Sequence, residues 1–105
     1  MSEITFFENN NILTGFEVKG HSGFAENGKD IVCAAVSSAA IMSANTVTDV
    51  MNLSAQVEQD DGYLKFTMRS DEARMAQDIL RGLEFHFNEL SKVYPSNISI
   101  KHGGI

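Results

Sequence analysis

Apolar positions change their spacing several times along this chain, and each change marks an element. Residues 4–8 and 12–19 are rich in β-branched and aromatic side chains and flank Asn9-Asn10-Asn11. Asparagine tolerates the positive φ angles that tight turns demand, so the two runs predict a hairpin. Residues 21–29 hold Gly23, Gly28 and little that is apolar, which predicts a mobile connecting loop ending at Asp30.

From Asp30 the spacing becomes helical. Ile31, Val32, Val36, Ala40, Ala44, Val47 and their apolar neighbours continue to about Leu53, lying nearly all round the first turns. Such a helix is expected to be buried on more than one side, with a partner subunit able to cover the second face. Residues 55–60 and 63–69 flank Asp61-Gly62, a strong two-residue hairpin signal. Ser70 followed by Asp71 and Glu72 predicts a capped helix start. The stripe Met75, Ile79, Leu83, Phe87 and Leu90 carries that helix to about Val93. Pro95 ends it, and residues 97–101 alternate as a last strand. The order ββαββαβ predicts an α+β fold, a mostly antiparallel sheet with two helices packed on one face.

Composition narrows the function without naming it. At 105 residues the chain is long enough for one hydrophobic core, so residues 1–105 are expected to form a single domain. Fourteen acidic against eight basic side chains give a net charge of −6, which disfavours direct contact with nucleic acid or anionic lipid and favours basic partners. One cysteine forms no internal disulfide, and the first residues carry no secretory signal pattern. The longest apolar run, residues 31–42, is short for a bilayer span and interrupted by serines. A cytoplasmic protein without a membrane partner is the expectation.

The candidate chemistry centres on that cysteine, within GHSGFAENGKDIVCAAVSS (residues 20–38). With Asp30 as helix cap, Cys33 falls in the first turn and its amide can donate to the Asp30 carboxylate. Unpaired amides and the positive end of the helix dipole favour a thiolate there, and the same amides can receive the oxyanion of an attacked carbonyl. Ser37 follows on the same stripe, placed to orient the sulfur. His21, at the end of a predicted strand, is the candidate base.

Taken one at a time these residues stay ambiguous. A free cysteine is often simply buried, His21 alone fits a strand-end surface residue, and Asp30 alone is a cap. A thiol redox sensor would use the same cysteine, although the chain offers no resolving partner. A metal site drawing on His21, Asp30, Cys33 and His102 has no recognised ligand spacing, so no metal or other cofactor is expected. His86 is expected to be structural and partly exposed.

The whole segment closely resembles the signature of the ribosomal-processing cysteine protease family, in which a glycine-histidine pair precedes G-x-D-I-V-C-A-A-V-S. The resemblance implies a cytoplasmic endopeptidase that removes a short N-terminal extension from a large-subunit ribosomal protein, cutting after an aromatic residue. It implies Cys33 as nucleophile, His21 as general base, and Gly20, Asp30 and Ser37 as supporting motif residues. It also implies a homodimer, and the alternative of a different class is a non-enzymatic ribosome-associated or dimerisation module.

Overall fold

The computed structural model describes residues 1–20 and 30–104. Strands β1 (Ser2–Asn9) and β2 (Ile12–Lys19) form the first hairpin, followed by helix α1 (Ile31–Asn45), which runs on through a π-helical turn at Thr46–Val50. The second hairpin is β3 (Gln56–Asp60) and β4 (Tyr63–Thr67). A short helix α2 (Ser70–Ala73), a 3-10 turn (Arg74–Ala76), the long helix α3 (Gln77–Val93) and strand β5 (Ile98–Gly103) complete the chain. The sheet order is β3-β4-β2-β1-β5, antiparallel except for the β1–β5 pair. The fold is the expected α+β arrangement.

Both turns obey the chemistry that predicts them. Asn10 and Asn11 have φ of 53° and 66°, the pair of left-handed residues that a two-residue hairpin of matching twist requires. In the second hairpin Gly62 alone takes a positive φ, 69°.

Strand β2 departs from simple alternation. Leu13 and Phe16 are both fully buried although they stand three apart, an odd spacing that would send them to opposite faces. A bulge resolves this: Phe7 pairs with Gly15 but Glu8 with Leu13, leaving Thr14 as the extra residue. The bulge turns Leu13 back to the core, and Gln77 at the start of α3 clamps it. The Gln77 side chain accepts from the Leu13 amide (3.0 Å) and donates to the Leu13 carbonyl (2.7 Å). Gly15 sits where β2 and β4 approach most closely; a Cβ there would lie 2.0 Å from the Phe66 carbonyl oxygen.

One hydrophobic cluster joins the sheet to the helices. Ile4, Phe6, Phe16, Val18, Leu64 and Phe66 on the strands meet Val32, Val36, Ala40 and Val47 on the first helical segment and Leu80, Leu83 and Phe87 on α3. The other sheet face is polar, with Lys65 5.7 Å above the Phe7 ring and Tyr63 hydrogen-bonded to Glu17.

Within the single chain the helical segment 31–50 buries one stripe, and Ile31 and Met42 stand 59% and 54% exposed on the face that a partner subunit was expected to cover. Three details differ from expectation. With its π turn the segment is long and apolar enough to cross a membrane by length and composition, unlike the shorter run in the sequence. Its Val32, Val36, Ala40 and Val47 stripe is nevertheless part of the core. Ser70 does not cap its helix, because Arg69 holds the cap position without a side-chain bond and the Ser70 hydroxyl accepts instead from Asn9 (3.3 Å). Ala76 rather than Met75 joins the core, since the 3-10 turn shifts the phase before α3 begins.

Replacing Gln77 with leucine strands the Leu13 amide and carbonyl under α3. The variant is expected to lose about 1–3 kcal/mol of unfolding free energy in urea titrations, against a near-neutral exposed control such as Gln59→Leu.

Candidate active site

Asp30 has an extended backbone (φ −80°, ψ 102°), the conformation of a helix cap, and is buried. Its carboxylate Oδ1 accepts from the Cys33 amide at 2.9 Å, and its carbonyl accepts from the Ala34 amide at 3.1 Å. Cys33 is thereby fixed, half-buried, in the first turn of α1. This sharpens the expectation for an oxyanion. The amides of Cys33 and Ala34 are already engaged and are not available to an incoming oxygen.

Cys33 opens onto a recess of about 230 Å³. Gly20, Cys33 and Ser37 line one side with Val18, Ala40 and Ile41, and residues 59–64 of the second hairpin form the other. The two sides are tied together at Gly20, whose amide donates to the Gly62 carbonyl at 2.8 Å. Gly20 itself requires the absence of a side chain: its φ is +79°, and a Cβ would stand 2.8 Å from the Met1 carbonyl oxygen. The structure thus brings Gly20, Cys33 and Ser37 to one recess and places Asp30 at the head of α1. His21 and the glycine-containing loop 21–29 lie outside the described residues.

The second hairpin is what sequence reasoning left out of the site. Asp60, Asp61, Gly62 and Tyr63 all line the recess. The only available signal was the Asp-Gly turn, which speaks of backbone geometry and not of chemistry. Tyr63 is no candidate base: its hydroxyl donates to Glu17 Oε2 at 2.7 Å, and that bond to a carboxylate pushes its pKa up to about 12.

A larger cavity, about 710 Å³, runs along β3 and the start of α2, but among the described residues neither cysteine nor histidine lines it. His102 belongs to a different corner from Cys33. It stacks on Phe6 at 5.7 Å and meets Glu84 Oε2 at 2.5 Å. Glu8, Glu84 and His102 bring ligating atoms within 4.8 Å of one another. Arg81, however, already lies 3.0 Å from Glu84 and 3.6 Å from Glu8, supplying the positive charge that such a cluster calls for. Burial pushes the Glu84 carboxyl up, but hydrogen bonds with His102 and Arg81 outweigh it and hold the pKa below its ordinary 4.5.

An α+β domain with a thiol at a helix start, facing a recess, is an arrangement that a cysteine peptidase can use. The sequence model described as cysteine protease Prp matches residues 1–99, and the chain belongs to this family of cysteine proteases. A curated relative, the ribosomal processing cysteine protease Prp of Bacillus subtilis, is 29% identical over 94 residues, covering 84% of each chain. The crystal structure of the essential ribosomal processing protease Prp from Staphylococcus aureus, with a covalently linked product peptide, superposes with a TM-score of 0.89. It is 24% identical, over 97% of this chain and 99% of that one. A Streptococcus mutans crystal structure matches at a TM-score of 0.81 with 27% identity, over 100% of this chain and 96% of that one. The non-enzymatic alternative gives way to these findings.

Two measurements probe the geometry. Asp30→Ala removes the cap and is expected to cost about 1 kcal/mol in a denaturant melt, with Asp30→Asn recovering most of it. Glu84, its pKa depressed by folding, contributes stability that is present above pH 4.5 and lost as pH falls through the lower folded value. Glu84→Gln should therefore destabilise by about 1 kcal/mol near pH 6 and by much less near pH 3, in paired urea titrations.

Proposed function

We propose that this protease removes a short N-terminal extension from a large-subunit ribosomal protein, cutting after an aromatic residue, with Cys33 as nucleophile and His21 as general base. The observation that carries the reading is the placement of Cys33, in the first turn of α1 beside a recess that Gly20 and Ser37 also line. The ribosomal substrate class is supported by the name of the Bacillus subtilis relative.

In this mechanism His21 takes the thiol proton, and the sulfur attacks the scissile carbonyl carbon. The carbonyl electron pair moves onto oxygen, where backbone amides at the start of α1 stabilise it. Collapse of that intermediate breaks the C–N bond, and the imidazolium returns its proton to the leaving amine. Water then attacks the thioester, giving up a proton to His21, and frees the new carboxyl terminus with the thiol restored. Asp30 acts through the helix: it keeps Cys33 in the first turn. Ser37, one turn further along and on the recess wall, orients the sulfur.

A cytoplasmic location accords with a single cysteine that must stay reduced to work. Pairing with a second copy accords with the exposed stripe Ile31, Ala34, Ser38 and Met42 along α1, where small residues between large ones allow close helix contact.

The test is mass spectrometry of a large-subunit ribosomal protein bearing its N-terminal extension, incubated with wild type, Cys33→Ser and His21→Ala. One cut after an aromatic residue is expected with wild type, none with Cys33→Ser, and a loss of roughly 100-fold or more in rate with His21→Ala. Circular dichroism confirms that each variant is folded. Undiminished cleavage by a folded variant removes that residue from the mechanism, and an intact substrate with wild type overturns the assignment.

A further inference from the structure

The recess beside Cys33 has a marked charge asymmetry. Its far wall is the β3–β4 turn, which contributes the exposed residues Asp60 and Asp61, and no lysine or arginine is among the described residues lining it. Among the described residues neither Asp60 nor Asp61 enters an ion pair. Asp60 makes a local bond, its Oδ1 accepting from the Asp61 amide at 2.8 Å. The turn is also held in place. The Gly20 amide donates to the Gly62 carbonyl, so the acidic wall keeps a fixed position relative to the end of β2 and the recess that Cys33 shares.

We propose that Asp60 and Asp61 are specificity residues of this protease, which read a lysine or arginine close to the scissile bond of the substrate. The inference rests on Cys33 being the nucleophile, because only then does a peptide crossing the recess carry its reacting carbonyl past this turn. Successive side chains of an extended peptide alternate in direction and advance about 3.3 Å per residue. A long basic side chain near the cut therefore reaches the turn while the backbone lies over the sulfur. The charges sit at a solvated rim, where they steer and select more than they bind. Asp60 and Asp61 touch the substrate away from the reacting atoms and take no part in proton transfer.

The experiment uses the full chain and a set of synthetic peptides with one aromatic residue before the cut. Lysine is walked through the neighbouring positions on both sides and replaced by glutamine in the matched controls. Wild type is expected to favour at least one lysine position by roughly two- to fivefold in kcat/KM, the size of an exposed charge pair. The gain should appear in KM, with kcat nearly constant, and shrink as sodium chloride is raised. Asp60→Asn/Asp61→Asn keeps turn-forming side chains and the Asp60 acceptor oxygen while removing both charges. It should lose the lysine preference, cleaving each lysine peptide and its glutamine control with equal kcat/KM. Equal cleavage of lysine and glutamine peptides at every position overturns the proposal and leaves the mechanism standing, as does a preference that survives in the double variant. Failure of wild type to cut any peptide overturns both.

Discussion

Burial of one sheet face under two helices is the constraint from which the rest of this molecule follows. A sheet with a polar outer face, carrying Glu17, Lys65 and Lys101, gains its stability by covering the other face. Every strand but the edge strand β3 sends at least one side chain into the shared cluster. The central strand β2 carries the heaviest demands, because it bonds to β1 and β4 at once and must point Leu13, Phe16 and Val18 the same way. The bulge at Thr14, the missing side chain at Gly15 and the clamp from Gln77 are three local solutions to that single demand.

The site grows from the same strand. Where β2 ends, Gly20 turns the chain and bonds to Gly62, so the second hairpin comes to rest beside the recess. Helix α1 starts above it because its inner stripe has to reach the sheet, and Asp30 fixes which residue begins the first turn. The cysteine is thus positioned by core packing from one side and by a capping carboxylate from the other. Asp60 and Asp61 on the hairpin wall, by contrast, are exposed, while Leu64 of the same wall belongs to the core.

Much of this was legible in the sequence, for reasons that differ by element. The asparagine and Asp-Gly turns declare themselves because few residues accept positive φ, and Asp30 declares itself because a cap needs a short acceptor ahead of an apolar run. The bulge did not, since Leu13 and Phe16 look like an ordinary lapse in alternation until the register is seen. Ser70 misled because a hydroxyl at a helix start can bond elsewhere, and Asn9 reached it from the first hairpin. Met75 misled because a 3-10 turn changes the angular step between residues. Within the site, Gly20, Asp30, Cys33 and Ser37 are local in sequence and could be read together. Asp60 and Asp61 enter only through tertiary pairing, which no spacing rule reports.

The hydrogen bond from the Cys33 amide to Asp30 has a consequence for how the molecule loses function. The first turn of a helix is among the places where chains open locally, at a free energy below that of global unfolding. Cys33 keeps its position only while that turn is closed. With Cys33 as the proposed nucleophile, opening of those few residues at the head of α1 would silence a molecule whose sheet and core are still intact.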